Sequence, residues 1–365
     1  MTPELQAPLI EGSGAAEAAP DWLNIPAGTP LGDAIYVGNL VDGSPEWHAF
    51  RNRPRAIGGS EVASVLNIPG RFKSPYIVWL EKAGYKEPDE ISPEMQELFD
   101  WGHLLEPAII QAFTNMTGLE VARTGSWINK DREWHGANPD GLVLDHEGKP
   151  VGILECKYSI RGSGYENGGA PAKYVAQIRY YLACIGLTFG YLACFSLGKL
   201  HLFLVPASMS SPVINLRTGD KEYHMHDAST MLPAVQDFVD SLSAGQPPAL
   251  TGSDDELDWK LSRNPEIDGK DVVVPYELAI EWADAREAEA KASADLKKVK
   301  LKLSEVMGTA KAAKAGYDDG KIKAKTIAIR KNGKGGSVIL MAQGKVVRPE
   351  PYELRLDEPA APAAA

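Results

Sequence analysis

Three segments of the chain begin with Ser-Pro and continue with apolar residues at helical spacing. In each segment the serine suits the N-cap, and the proline suits the first helical position. The longest segment begins at Ser92, and its spacing predicts a helix that kinks or restarts at Pro107 and ends at Gly118. Its apolar stripe comprises Met95, Leu98, Phe99, Leu105, Ile109, Ile110 and Phe113.

Segments with strand character follow this helix. Residues 119–128, 140–144 and 151–157 are rich in apolar residues, and the sequence DHEG predicts a turn between the last two. A further helix over 172–185, two short strands and a closing amphipathic helix complete the pattern. This mixed order predicts an α+β fold with an α/β-type core, in which helices flank a central mixed sheet.

Composition and periodicity divide the chain into five parts. Residues 1–33, rich in Ala, Pro and Gly, predict a flexible N-terminal arm, and residues 34–245 predict the folded core. Residues 246–274 are rich in Gly, Pro, Ser and Asp and predict a linker. Residues 275–348 predict a long helix with a heptad seam and then a basic β-hairpin, while 349–365 predict a flexible tail.

The net charge of −11 gives no general signal for nucleic-acid binding, but it is unevenly distributed. Residues 281–345 contain 15 Lys or Arg and eight Asp or Glu, a net +7, so the rest of the chain carries −18. This asymmetry permits a basic surface on an acidic protein, but the charge alone favours a solvated helix face.

The cysteine pattern and the absence of long apolar runs exclude several classes of protein. Cys156, Cys184 and Cys194 form no CxxC pair, which argues against structural zinc or an iron–sulfur cluster and suits a reducing compartment. We expect no membrane span and no secretory signal, because neither an apolar run of about 18 residues nor a basic and then apolar N-terminus occurs. The expected location is the cytoplasm.

The candidate chemistry lies in the stretch NPDGLVLDHEGKPVGILECK. Asp140 begins one arm of the predicted hairpin, while Glu155 and Lys157 end the other arm on the same face of the strand. Pairing of the arms would bring Asp140 beside Glu155, and two carboxylates form the core of a Mg²⁺ site to which the carbonyl of Cys156 adds a ligand. Lys157 would then hold or deprotonate the attacking water.

An alternative interpretation is that these residues are ordinary surface charges, since an Asp followed by Glu-x-Lys is common by chance. A third carboxylate favours the metal site, because Glu106 lies on a helix expected to pack against this sheet. It would complete one metal site or create a second. Glu106 as a surface charge at a helix end is the competing explanation.

At this point the chain resembles the PD-(D/E)xK nucleases, and within them the YqaJ-type viral recombinases, which are lambda-exonuclease-like alkaline nucleases. The resemblance rests on five motifs in order, from about Trp47 to Leu182. They are EWHAFRNRPRAIGGSEVASVLN, WGHLLEPAI, ANPDGLV, LECK and PAKYVAQIRYYL. It implies a restriction-endonuclease-like fold with a long helix and β-hairpin added at the C-terminal end.

The resemblance also implies roles for individual residues. Asp140 and Glu155 would be metal ligands beside the Cys156 carbonyl, Lys157 the water-activating lysine and Glu106 the helix carboxylate. Three further residues match positions that contact DNA. Arg51 matches an arginine that holds a phosphate near the 5′ end, Ser60 starts the next helix, and Gln177 flanks the site.

The function implied is a Mg²⁺-dependent exonuclease, with Mn²⁺ as a substitute, that digests one strand of linear duplex DNA from a 5′ end. The implied partners are duplex DNA ends, a single-strand annealing protein and further copies of the chain in a trimer, in a phage or prophage setting. Two alternatives stay open at this point. One is an endonuclease of the same superfamily for restriction or repair, and the other is a catalytically silent DNA-binding scaffold.

Overall fold

The structure is a computed structural model that describes residues 21–41, 43–53, 55–160, 165, 169–266, 269, 271–315, 325–332 and 338–342. Contacts divide the chain into a first unit that ends at Glu266 and a second that begins at Ile267. Among the described residues, no helix is both long and apolar enough to cross a membrane.

The helices of the first unit begin as the sequence predicts, with Ser44, Ser74 and Ser92 as N-caps whose hydroxyl oxygens accept backbone N–H bonds. The helices in the described part of this unit are α1 (Pro45–Arg51), α2 (Gly59–Val65), α3 (Pro75–Lys82), α4 (Pro93–Thr117), α5 (Ala172–Ile185), α6 (Ala228–Ala244) and α7 (Asp254–Ser262).

The strands of the first unit form two sheets. They are β1 (Pro30–Leu31), β2 (Ala34–Gly38), β3 (Glu120–Ala122), β4 (Ser126–Asn129), β5 (Gly136–Ala137), β6 (Gly141–Leu144), β7 (Pro150–Ser159), β8 (Phe189–Ser196), β9 (Lys199–Pro206), β10 (Val213–Asn215) and β11 (Lys221–Glu222). Within the described residues the central sheet has the order β11-β10-β9-β8-β7-β6-β3, and the smaller sheet has the order β1-β2-β4-β5.

The central sheet is mixed, because β7 and β8 run parallel while the other neighbouring pairs are antiparallel. Helices cover both of its faces, which confirms the predicted α+β class. Ile153 of β7 packs in the cluster that contains residues of α5 and α6, whereas Leu154 packs with Ile109 and Phe113 of α4. This alternation places Glu155 and Lys157 on the α5 side of the sheet.

Three details of the predicted elements are corrected. Residues 119–128 form not one strand but β3 and β4, which belong to different sheets. Helix α4 runs without interruption through Pro107, so it does not restart there. The apolar stripe of α4 is buried at Ile109 and Phe113, whereas Met95 and Phe99 at its start are exposed.

The predicted ends of the core also differ from the observed structure. Within the predicted arm, the described residues from 21 onward include β1, and Trp22 and Ile25 pack on the core. The predicted linker 246–274 contains helix α7, which the carboxylate of Asp255 ties to the first unit by accepting the Ser74 N–H at 2.6 Å. The predicted tail lies outside the described residues.

The second unit contains the predicted long helix, α8 (Tyr276–Met307), followed by β12 (Ala312–Ala315), β13 (Lys325–Asn332) and β14 (Val338–Ala342). These strands pair antiparallel in the order β12-β13-β14 in the part of the unit that is described, so a third strand joins the predicted hairpin. Leu278, Trp282 and Val306 of the heptad seam are exposed.

Candidate active site

The β6–β7 hairpin positions the first two candidate residues. Gly141 of β6 pairs with Leu154 of β7, so Asp140 lies beside the strand where Glu155 begins the polar end. The backbone N–H of Cys156 donates a hydrogen bond to Asp140 Oδ2 at 2.6 Å. Beyond the end of β6, the Asp140 carboxylate therefore accepts the backbone N–H that a neighbouring strand would otherwise bind. The two arms of the hairpin approach each other as predicted.

Glu155 is a buried carboxylate with one satisfied and one unsatisfied oxygen. Its side chain is 2% exposed, and Oε1 accepts hydrogen bonds from Lys157 Nζ at 2.5 Å and Gln177 Nε2 at 2.6 Å. Its Oε2 is buried without a hydrogen-bond partner in the described part of the chain. Burial, followed by the negative charge of Asp140, raises the pKa of Glu155 above its ordinary value although the Lys157 ammonium acts in the opposite direction.

Lys157 carries the positive charge of the cluster. Burial acts to lower the pKa of Lys157, but the carboxylates of Glu155 and Asp140 outweigh it and raise that pKa above its ordinary value. The geometry therefore favours an ammonium group that donates to Glu155. The ammonium also lies 5.3 Å from the ring centre of Tyr174.

Helix α5 supports Glu155 from the opposite side through two buried residues one turn apart. The side-chain amide of Gln177, which donates to Glu155, is also 3.2 Å from Tyr181 Oη. The Tyr181 ring packs so closely on α2 that a Cβ added at Gly59 would clash with it. The motifs do not mark Tyr181 as a site residue. Tyr181 follows Gln177 by four residues, and this spacing puts both side chains on the same face of the helix. That spacing could have indicated that Tyr181 belongs to the site.

Glu106 comes from the middle of α4, not from a helix end. Its Oε1 lies 3.7 Å from Arg123 Nη2, and its charge contributes to the raised pKa of Glu155. Glu106 is therefore close enough to the hairpin to act electrostatically on it. Arg123, which the motifs did not identify, is the second residue that sequence reasoning missed at this site.

Arg51 and Ser60 lie together at another part of the site. Arg51 Nη2 donates to Ser60 Oγ at 2.8 Å, and its guanidinium lies 4.6 Å from the ring centre of Trp47. Ser60 is not the N-cap of α2, because Gly58 holds that position and its N–H donates to Glu61 Oε2 at 2.8 Å. The Ser60 hydroxyl is thus available to face solvent beside Arg51.

One cavity of about 620 Å³ brings these two parts of the site together. Arg51 and Ser60 line it, as do Asp140, Glu106 and Gln177. Buried Glu155 contacts this cavity lining through Gln177. Five of the eight predicted site residues thus border a single open space. The other three, Glu155, Cys156 and Lys157, are joined to it by hydrogen bonds.

Comparisons with known proteins point to the same region of the chain. The family model described as YqaJ-like viral recombinase domain matches residues 46–188. The curated protein "Uncharacterized protein YqaJ" of Bacillus subtilis (strain 168) is 27% identical over 146 residues, which cover 39% of this chain. The match spans 42% of the length of that relative.

Two solved structures are similar at low sequence identity. An alkaline exonuclease (LHK-Exo) from Laribacter hongkongensis aligns with a TM-score of 0.40 and 18% identity over 61% of this chain and 100% of its own. The protein SSO0001 aligns with a TM-score of 0.30 and 12% identity over 53% of this chain and 78% of its own. The family match confirms, over residues 46–188, the resemblance to YqaJ-like viral recombinases that the sequence motifs predicted.

Proposed function

We propose that the chain is a divalent-metal-dependent DNA exonuclease that resects linear duplex DNA from a 5′ end and leaves single strands for recombination. The observation that carries the proposal is the carboxylate of Glu155, which is buried with Oε2 unpartnered in the described structure. Lys157 and Gln177 both bind Oε1, so Oε2 stays unsatisfied, and a buried oxygen of this kind is costly unless a further donor or a cation compensates it. Asp140 supplies the adjacent carboxylate that such a cation requires.

The donor set fits Mg²⁺, with Mn²⁺ as a substitute. Asp140 and Glu155 would hold the ion, and the Cys156 carbonyl and Glu106 are the further oxygen donors. The described residues contain no group of three or more His, Cys, Asp or Glu placed to hold a metal. Mg²⁺ is compatible with this, because it is commonly bound by one or two carboxylates while keeping waters and taking substrate phosphate oxygens. When bound, it would polarise the scissile phosphate and lower the pKa of the attacking water.

The residues of the chain supply positioning and charge. In the proposal, the Lys157 ammonium holds the attacking water and offsets negative charge on the scissile phosphate. Gln177 fixes the orientation of Glu155 by donating to Oε1, and Tyr181 contacts the same amide from α5. A rigid carboxylate matters here because misplacement of a ligand by about 1 Å is costly in catalysis.

Arg51 and Ser60 are proposed to hold the phosphate of the DNA 5′ end. The guanidinium and the hydroxyl lie 2.8 Å apart and line the cavity that Asp140 also lines. An arginine suits this task because its planar fork binds phosphate oxygens in pairs. The distance from a bound end to the scissile phosphate would then be set by the cavity, which supports cleavage at ends rather than inside a duplex.

The family description as a recombinase supports a place in phage-type recombination inside a bacterial cell. We propose a single-strand annealing protein as the functional partner, and self-association into a trimer.

The proposal is tested with linear duplexes labelled separately at each 5′ and 3′ end, with and without Mg²⁺, beside covalently closed circular DNA. We expect Mg²⁺-dependent release of 5′ label from the linear DNA and no attack on the circle. Asp140→Asn and Lys157→Ala should abolish cleavage, whereas Glu147→Gln, an exposed change on the same hairpin, should not. Cleavage of the circle would favour an endonuclease, and no cleavage by the unmodified chain would favour a silent scaffold.

A further inference from the structure

Lys157 borders a second group of residues that the proposed mechanism does not use. We call Phe72, Lys173 and Tyr174 the aromatic–lysine cluster. Lys173 Nζ lies 3.7 Å from the ring centre of Phe72 and 4.9 Å from that of Tyr174. Because Lys157 Nζ is 5.3 Å from the same Tyr174 ring, two ammonium groups lie near one aromatic side chain.

The charge of Lys173 is poorly compensated. In the described part of the chain Lys173 forms no ion pair with a carboxylate, and the one carboxylate bonded to its neighbour Lys157 is Glu155. Lys173 is also the second residue of α5, where the helix dipole disfavours a cation. Burial and the charge of Lys157 both lower the pKa of Lys173. An anion bound to Lys173 would supply the missing negative partner and would offset the helix dipole and the charge of Lys157.

Phe72 presents an aromatic ring on an anchored loop. Its side chain is 67% exposed, although both neighbours are held. The Arg71 N–H donates to the Ile68 carbonyl at 3.1 Å, and Lys73 Nζ binds Glu81 at 2.6 Å. A single exposed phenylalanine is ordinary on a protein surface. Here, however, an uncompensated ammonium lies over the ring, so aromatic and cationic groups are presented together.

A ring and an ammonium in contact match the two parts of a nucleotide. Aromatic side chains stack on bases in single strands with little sequence preference, and lysine binds backbone phosphates. None of Phe72, Lys173 and Tyr174 lines the cavity that contains Arg51 and Ser60. The cluster is therefore a contact region separate from that cavity and adjoins it through Lys157 and Glu155.

We propose that the aromatic–lysine cluster is a subsite for one nucleotide of the cleaved single strand, next to the scissile phosphate. Lys173 binds its phosphate and Phe72 stacks on its base, while Tyr174 holds Lys173 beside Lys157. This assignment rests on the proposed nuclease function and deepens it. The ligand of the subsite is a nucleotide, of which both the base and the phosphate are bound. Stacking on Phe72 would not distinguish one base from another.

The test measures binding of dGMP, deoxyguanosine and inorganic phosphate to the full chain without metal, by calorimetry or ligand-observed NMR. We expect Lys173→Gln to weaken dGMP and phosphate binding but not deoxyguanosine binding. Phe72→Leu should weaken dGMP and deoxyguanosine binding by about tenfold, since one base stack contributes roughly 1–3 kcal/mol, and should leave phosphate unchanged. Lys260→Gln is the matched control, because Lys260 Nζ lies 5.3 Å from the ring of Tyr76, another lysine–aromatic pair in the first unit.

The outcomes separate this subsite from the nuclease proposal. Equal dGMP binding by Lys173→Gln, Phe72→Leu and the unmodified chain would overturn the subsite, even if DNA is cleaved as proposed. The same holds if the unmodified chain does not bind dGMP. If dGMP binding follows the expected pattern but no DNA is cleaved, the subsite stands and the nuclease proposal fails. Unchanged thermal unfolding of both variants confirms that the fold is intact.

Discussion

Glu155 and Glu256 are two buried carboxylates in the same unit of the chain, 2% and 3% exposed, yet their surroundings differ completely. Oε2 of Glu256 accepts the backbone N–H groups of Thr251 at 2.8 Å and Gly252 at 2.9 Å, and Oε1 accepts the Thr251 hydroxyl at 3.1 Å. Oε2 of Glu155 has no partner in the described structure.

The pKa values of the two carboxylates move in opposite directions because their hydrogen-bond partners and neighbouring charges differ. Burial acts to raise the pKa of Glu256, but the hydrogen bonds from Thr251 and its neighbours outweigh it and lower that pKa. For Glu155, burial and the charges of Asp140 and Glu106 outweigh the Lys157 ammonium and raise the pKa above its ordinary value. A buried carboxylate whose two oxygens both accept hydrogen bonds stabilises the fold. A buried carboxylate that lies beside other negative charges is instead typical of a functional site.

The largest expected effect is on activity. Glu155→Gln should lower the rate of Mg²⁺-dependent DNA cleavage on the order of 10³-fold, because metal-ion catalysis supplies several kcal/mol of transition-state stabilisation. The same change removes the repulsion from Asp140 and Glu106 but also takes away the carboxylate that pairs with the Lys157 ammonium, so cleavage is compared at a temperature where the variant is folded. A folded variant that cleaves at the normal rate would remove the contrast with Glu256.

A smaller loss of activity is expected from the support of Glu155. Gln177→Leu removes the amide that donates to Oε1 while keeping a buried side chain of similar size. We expect a loss of roughly 10- to 100-fold in metal affinity or activity, as for other residues that orient metal ligands. Titration of cleavage rate against Mn²⁺ concentration checks this, and Gln236→Leu on the neighbouring helix α6 is the control. An unchanged Mn²⁺ dependence would show that Gln177 does not orient Glu155.

Glu256 should show the reverse behaviour. Glu256→Ala leaves the N–H groups of Thr251 and Gly252 without their acceptor and should lower the free energy of unfolding by about 1–3 kcal/mol. Cleavage at a temperature where the variant is folded should stay within about twofold. Asp258→Ala, at an exposed position of α7, is the matched control for denaturant unfolding. A large loss of activity without a loss of stability would contradict the structural role of Glu256.

The smallest effect is expected at Tyr181. Tyr181→Phe removes the hydroxyl 3.2 Å from the Gln177 amide but keeps the ring that packs on Gly59. One hydrogen bond contributes about 1 kcal/mol, so we expect a several-fold loss of activity at most. Steady-state cleavage rates measure it, and Tyr180→Phe, whose hydroxyl donates instead to the Ile57 carbonyl, is the control. A loss as large as that of Glu155→Gln would place Tyr181 in direct contact with the reaction.

The sequence predicted the hairpin better than it predicted the segment around Glu256. The alternation of Ile153 and Leu154 with a polar strand end follows directly from two-residue periodicity, and it located Glu155. Helix α7 was missed because it is anchored by polar groups: Asp255 accepts the Ser74 N–H, and Glu256 bonds to the residues before its helix. An apolar pattern cannot reveal such an element.

Long-range contacts explain the other differences. Gln177 and Glu155 are 22 positions apart, and neither residue type by itself predicts that the amide bonds the carboxylate. The motif resemblance located Gln177 beside the site, but only the packing of α5 on the sheet shows its contact.

Binding of Mn²⁺ to the full chain, measured by calorimetry for the unmodified protein, Glu155→Gln and Glu256→Ala, tests the contrast most directly. We predict that the unmodified protein and folded Glu256→Ala bind Mn²⁺ with the same affinity, and that Glu155→Gln binds at least about tenfold more weakly. Equal Mn²⁺ affinity of Glu155→Gln and the unmodified protein would contradict the account, because the unpartnered oxygen of Glu155 would then not be a metal ligand.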